Sequence, residues 1–244
     1  MTTISPVSPA PRAGLQVMSA TTLIAVAVGL YLALIFAGTD IDQGNIQRIF
    51  YIHMPAFFGA FTAFGATVLG GILYLITRNP RWDRMAVAGV EVGLMLSLVN
   101  LLTGSIWARP IWNTWWTWDP RLTSTAVMVL TYAAYLMLRA GIEQPEQRRR
   151  FAAVYGILAI VTVVITLVII RVRDDTIHPV VVGTGSTAAE GTFDVQATRG
   201  VTTALLFNLP VWGLLIPITL MMFRMRLEQL TEHVDRLKAE LMER

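Results

Sequence analysis

A chain of 244 residues with 55% apolar side chains, 14% charge and a mean hydropathy of +0.58 is too apolar for an ordinary soluble domain. Its formal net charge of +3 comes from arginines gathered in short polar stretches, a membrane-topology pattern that gives no ground for a nucleic-acid partner. The absence of cysteine excludes disulfides, thiolate metal sites, thiol redox chemistry and thioether attachment of a cofactor to this chain.

Six stretches are long enough to cross a hydrocarbon core of about 30 Å as helices: Met18 to Ala37, Pro55 to Ile76, Met85 to Leu102, Leu122 to Leu138, Phe151 to Ile170 and Val201 to Phe223. Helices satisfy their backbone polar groups internally, so the fold class is all-α, a polytopic integral membrane protein with six transmembrane helices. Counting Lys and Arg in the loops puts thirteen on one side and six on the other, which predicts that both termini are cytoplasmic. The organisation is then a cytoplasmic N-terminal segment (1–17), a six-helix membrane domain (18–223) with a Trp-rich outer region (104–123), and a cytoplasmic tail (224–244). The first stretch exceeds a usual signal-peptide core and lacks a clear cleavage site, so it reads as a retained span.

In the first outer loop Ile46, Ile49, Phe50 and His53 share one helical face, predicting a short interfacial helix that leads into span two, with Pro55 near that span's start. Span three carries Glu91, an ionisable group at membrane depth, where such groups are functional or pair helices. No partner for it is evident, unless the span begins earlier and Glu91 lies nearer the inner interface. Asn100 in span three and Asn208 in span six are candidates for interhelical hydrogen bonds.

Between spans three and four, five of the seven tryptophans fall within twelve residues: Trp107, Trp112, Trp115, Trp116 and Trp118. As a helix, Trp112, Trp115, Trp116 and Asp119 would lie at i, i+3, i+4 and i+7 on one face, a shelf for something flat. The competing explanation is an aromatic belt at the lipid headgroups, but a belt spends one or two tryptophans per helix end and the other loops have almost none. Asp119-Pro120 also has the form of an N-cap followed by proline at the first helical position, so Asp119 is either a cap, a site residue, or both. The last outer loop, Arg171 to Gly200, is rich in glycine and small polar residues that favour turns. Beyond span six, Leu227, Leu230, Val234, Leu237 and Leu241 recur at spacings of three and four, an amphipathic tail helix that could be a coiled-coil seam or lie on the membrane or a partner subunit.

Three histidines exist, and two of them, His53 and His178, flank the tryptophans on the same side. Neutral imidazole ligates heme iron, so the pair are candidate axial ligands with the indoles as a platform. His233 sits among Glu232 and Asp235 on a solvated helix and is set aside. Propionates need guanidinium partners, and Arg48, Arg109, Arg121, Arg171 and Arg173 are candidates on that side, although Arg171 and Arg173 have Asp174 and Asp175 beside them. No phosphate-binding Gly-x-x-x-x-Gly-Lys-Ser/Thr loop and no hydrolase motif occurs, so an enzyme is not expected.

The pattern Trp107-x-x-x-x-Trp112-x-x-Trp115-Trp116-x-Trp118-Asp119-x-Arg121-Leu122-Thr123, with Tyr51-Ile52-His53-Met54-Pro55 before span two and Thr176-Ile177-His178-Pro179 before span six, resembles the WWD-domain heme-handling superfamily of cytochrome c maturation, and within it the heme exporter protein C (CcmC) family. The resemblance covers nearly the whole chain. It implies that His53 and His178 are axial ligands of a transient, non-covalent heme b, and that Trp112, Trp115, Trp116, Trp118 and Asp119 hold the porphyrin. It further implies a bacterial inner membrane location with the heme site on the periplasmic side. The implied partners are an ABC transporter's membrane and ATP-binding subunits, a small single-span subunit, and a periplasmic heme chaperone that receives the heme. The alternative function is a bis-His b-type subunit of a quinol-linked oxidoreductase, in which heme would stay; a weaker one is a structural subunit whose tryptophans only meet lipid.

Overall fold

The computed structural model describes residues 12–173, 175–178 and 198–242. Seven α-helices follow one another: α1 (Arg12–Tyr31), α2 (Phe50–Thr77), α3 (Pro80–Trp112), α4 (Pro120–Ala140), α5 (Pro145–Val172), α6 (Val201–Pro210) and α7 (Ile216–Met242). A single π-turn extends α1 through Phe36, and another, Val211–Leu215, joins α6 to α7, so that six continuous helical segments are long and apolar enough to cross a membrane. The π-turn between α6 and α7 is flanked by Pro210 and Pro217, which cannot donate to the regular ladder. Among the described residues no β-sheet forms.

The six expected spans are all present, with ends that differ in informative ways. Helix α3 runs ten residues beyond Leu102 to Trp112, where Asn113 in the left-handed region (φ 54°) stops it. Residues 113–119 are therefore not helical, and Trp112, Trp115, Trp116 and Asp119 do not form a single-face helical shelf; of the five clustered tryptophans only Trp107 and Trp112 ride a helix. The interfacial helix before span two is one 3₁₀ segment, Asn45–Ile49, that feeds directly into α2 at Phe50, so Pro55 lies within the first turns of α2 and His53 is on a helix and not in a loop. At the start of the chain, helix begins at Arg12 inside the segment expected to precede the membrane domain, and residues 1–11 lie outside the described ones. Span six and the tail are one helix, with Leu227, Leu230, Val234 and Leu241 exposed along its far half.

Helix α2 is central. Small residues let it approach α3 closely: a Cβ on Gly89 would run into the Ala63 carbonyl oxygen, and Thr67 Oγ1 donates to the Ala86 carbonyl (3.1 Å) across the same contact. Phe64 of α2 packs over Gly93 of α3 and stacks on Tyr132 of α4 (centroids 3.6 Å, planes 11° apart). Glu91 does have a partner: both its carboxylate oxygens accept from Arg224 of α7, which also bonds Glu228 (3.0 Å), and Arg84 meets Glu232 one step further along. The early start of α3 at Pro80 leaves Glu91 in the half of the helix away from the tryptophans. Asn208 bonds the Gly29 carbonyl of α1 (3.1 Å), and Asn100 bonds α2, as expected of interhelical amides.

Candidate functional site

At the end of the bundle where α2 and α4 begin and α3 ends, a partly open cavity is lined by His53, Phe57, Trp107, Trp112, Arg121 and His178 among others. Each wall follows from local chain chemistry. The entry of α2 from a 3₁₀ turn puts Phe50, His53, Met54 and Phe57 on one face at spacings of three and four. The ten extra residues of α3 carry Gly104, Trp107, Ala108, Ile111 and Trp112 past Asn100 on a continuing stripe. The N-cap at Asp119 aims α4 so that Arg121, Leu122 and Thr125 close the third side.

His53 is tightly constrained. Its Nδ1 lies 3.0 Å from the Asn100 carbonyl oxygen, and the Asn100 amide returns a bond to the His53 carbonyl (2.9 Å). An N–H donated from Nδ1 to that carbonyl leaves the Nε2 lone pair free, the tautomer a metal requires. Gly104 makes room for the ring, since a Cβ there would sit 2.9 Å from His53 Cε1. Trp107 meets the same imidazole edge to face at 5.8 Å.

His178 arrives from the segment after α5, and Asp119 is what brings it there. One carboxylate oxygen of Asp119 caps α4 by accepting from the Leu122 amide (2.8 Å); the other accepts from the Thr176 hydroxyl (2.9 Å) and the Ile177 amide (3.2 Å). The His178 ring then stands against Trp112 (6.3 Å, 62°) and across from His53, with ring centres 6.3 Å apart and planes tilted by 31°. Two imidazoles on opposite sides of one metal ion, each with a bond of about 2 Å and roughly 1 Å more from nitrogen to ring centre, lie about 6 Å apart, so the observed separation matches a shared ion.

The other expected residues divide. Trp107, Trp112, Trp115 and Trp116 line the cavity, and the Trp116 indole N–H is buried with no acceptor among the described residues. Trp118 is 78% exposed on the outside of α4 and, with Arg173 and Asp175, lines a second groove between α4 and α5. Arg121 is the arginine in the cavity; it donates to the Thr166 carbonyl of α5 (2.7 Å) and lies 4.4 Å over the Phe57 ring. Arg48 ties Asn45 and Thr39 to the Ala33 carbonyl, Arg109 closes the end of α3 on Asn113, and Arg173 pairs with Asp175, whose carboxyl that hydrogen bond holds below the ordinary range; none of the three lines the cavity. Sequence reasoning missed Phe50, Met54, Phe57, Gly104 and Thr176. The first four were within reach, because Asn100, Gly104, Trp107 and Ile111 form one helical stripe once α3 is continued past Leu102, and Phe50, Met54 and Phe57 flank His53 on α2. Thr176 had no signal, since its role depends on a carboxylate 57 residues away.

The family described as CcmC, heme exporter protein C, matches residues 8–244. Among individual proteins, heme exporter protein C of Haemophilus influenzae is 33% identical over 148 residues, covering 61% of this chain and 59% of that one. Its counterpart in Bradyrhizobium diazoefficiens is 35% identical over 137 residues (56% and 52%), and that of Escherichia coli K12 is 29% identical over 147 (60% and 59%). The chain thus spans little more than half the length of the curated relatives it matches.

Proposed function

The chain belongs to the heme exporter protein C (CcmC) family, and from that premise and the shape of the cavity we propose that it binds heme non-covalently as cargo in cytochrome c maturation and hands it on at the outer face of the membrane. The single observation that carries this reading is the facing pair His53 and His178, 6.3 Å apart between aromatic walls. Heme supplies an iron with two open axial positions, a flat apolar ring and two carboxylates. The imidazoles take the axial positions, Trp107, Trp112, Trp115 and Trp116 flank the ring, and Arg121, which lines the cavity, receives a propionate. Trp118, Arg48, Arg109 and Arg173 have no direct part in this reading.

The thirteen-to-six distribution of Lys and Arg supports cytoplasmic termini with the cavity on the opposite side, which in a bacterial inner membrane is the periplasmic one. Without cysteine the chain cannot hold heme covalently by thioether, and membership of the family supports, as partners, an ABC transporter's membrane and ATP-binding subunits, a small single-span subunit and a periplasmic heme chaperone as acceptor. His178 favours handover over permanent retention: it sits on a non-helical segment whose Thr176 and Ile177 are held by Asp119, whereas His53 is built into α2.

Titrating the purified, heme-free chain with ferric hemin tests the reading. The expected result is a six-coordinate low-spin absorption spectrum at one heme per chain, which decays when the chaperone is added. A high-spin spectrum, or none, sinks the proposal; a low-spin heme that stays in place with chaperone present and is reduced by quinol favours the oxidoreductase instead.

Replacing Asp119 separates its two tasks. Asn is as good an N-cap as Asp, so Asp119→Asn is expected to leave stability within a few tenths of a kcal/mol, while Asp119→Ala loses about 1 kcal/mol. Both remove the charged acceptor that holds Thr176 and Ile177, so both are expected to weaken hemin binding by about 10- to 100-fold, the usual effect of losing a group that orients a ligand. Thermal unfolding in detergent beside the titration distinguishes the two effects.

A further inference from the structure

The connection from α1 to α2 is a short polar stretch with an unusual density of buried hydrogen bonds. Asp40 and Gln43 are only 6% and 8% exposed. One Asp40 carboxylate oxygen accepts from the backbone amides of Asp42 (3.1 Å) and Gln43 (2.8 Å), and the turn closes where the Gly44 amide, at φ 60°, donates to the Asp40 carbonyl (3.0 Å). The other carboxylate oxygen accepts from the Thr198 hydroxyl (3.0 Å) just before α6, and the Gly38 amide donates to the Arg199 carbonyl (2.8 Å) beside it. The turn is thereby fixed to the body of the bundle from two sides. Its product is the placement of Gln43, whose Oε1 accepts from the Trp107 indole N–H at 2.9 Å.

Trp107 is the cavity wall that touches His53. Its indole meets the imidazole at 5.8 Å with planes 78° apart, and it rests on Phe50 at 5.9 Å and 62°. His53 Nδ1 lies within reach of the Asn100 carbonyl (3.0 Å), the Thr103 hydroxyl (3.2 Å) and the Asn100 side-chain nitrogen (3.3 Å), but all three contacts meet one ring atom and leave the opposite edge of the imidazole free to rock about it. The indole edge removes that freedom, provided the indole itself cannot turn. We infer that Gln43, held in place by Asp40, is a positioning residue that locks the Trp107 indole and so sets the ring plane of His53 relative to His178.

The inference rests on the heme reading above and adds a residue pair outside the tryptophan cluster to it. Its physical consequence is specific. The angle between two axial imidazole planes governs how the iron d orbitals split, so a change in that angle alters the low-spin ferric EPR signal without removing either ligand.

The test uses the full-length chain in detergent with ¹⁵N-labelled tryptophan, heme-free and then loaded with ferric hemin. Trp107→Phe identifies the Trp107 indole resonance. Gln43→Leu is expected to shift that resonance and speed its hydrogen exchange in the heme-free protein, to displace the low-spin EPR g values after hemin is added, and to weaken hemin binding roughly two- to tenfold, as for one lost hydrogen bond. Gln43→Glu, which keeps an acceptor oxygen at the same reach, is expected to restore all three toward wild type, which guards against a fault in folding. An indole resonance and g values unchanged by Gln43→Leu would overturn the inference while His53→Ala still abolishes the low-spin signal. Hemin binding unaffected by His53→Ala would overturn the heme reading itself, and this inference with it.

Discussion

His53→Ala is expected to abolish the six-coordinate heme spectrum and to lower hemin affinity on the order of 100-fold or more, the larger of the two histidine effects. The asymmetry follows from how each imidazole is held. His53 is preorganised: α2 fixes its backbone, Asn100 and Thr103 hold its Nδ1, and Gly104 and Trp107 shape its slot. Little entropy remains to be lost when iron binds there, so most of the bond energy appears as affinity. His178 lies on a non-helical segment whose Thr176 and Ile177 are held to Asp119 by two hydrogen bonds, so no helix fixes its backbone. His178→Ala is therefore expected to give a five-coordinate, high-spin heme that still binds through His53. Free imidazole should restore the low-spin spectrum in His178→Ala at lower concentration than in His53→Ala, because the open position left by His178 faces the outside. Absorption spectra of the two variants during hemin titration, with and without imidazole, check this; an unchanged low-spin spectrum in either variant removes that residue as a ligand.

The membrane-spanning architecture was legible because lipid leaves a chain few options. Apolar runs of sufficient length must be helices, and each of the six appears. The ends of those helices were not legible from hydropathy, and the site lives at the ends. Ile106, Trp107, Ala108 and Ile111 read as a loop once the apolar average falls after Leu102, yet the chain stays helical until Asn113 takes up the left-handed conformation that ends it. The two histidines could be singled out because few side chains of their chemistry face that side. What could not be read was the division of labour among the tryptophans: the break at Asn113 turns Trp118 outward and Trp112 inward, a choice made by backbone geometry and invisible to spacing. Arginines fared the same way. Five looked equivalent as propionate partners, and three of them are consumed by acceptors that the fold brings close, the Ala33 carbonyl for Arg48, Asn113 for Arg109 and Asp175 for Arg173. The partner of Glu91 was beyond reach because Arg224 lies 133 residues away on a helix whose registry depends on the π-turn at Val211–Leu215.

Asp83→Ala is expected to cost about 3–5 kcal/mol, the typical price of stripping one partner from a buried ion pair. Asp83 lies near the start of α3, 5% exposed, and grips Arg139 of α4 through both carboxylate oxygens (2.6 and 2.9 Å), with Arg149 of α5 3.7 Å away. One carboxylate therefore joins three helices at the end of the bundle opposite the cavity, and its removal leaves two guanidinium groups facing each other with no anion between them. Asp83→Asn keeps an acceptor for Arg139 but not the charge, and should fall between wild type and Asp83→Ala. For a chain of this size the larger loss corresponds to a drop of roughly ten degrees in the midpoint of thermal unfolding. Seventeen residues of helix separate Asp83 from Asn100, about 25 Å at 1.5 Å per residue, and the cavity end of α3 is held by its own contacts with α2. The hemin affinity of Asp83→Ala, measured well below its lowered midpoint, is therefore expected to equal that of wild type. Parallel loss of stability and of affinity in that variant would mean that α3 transmits strain along its whole length, and that the cavity is not the independently braced site its hydrogen bonds describe.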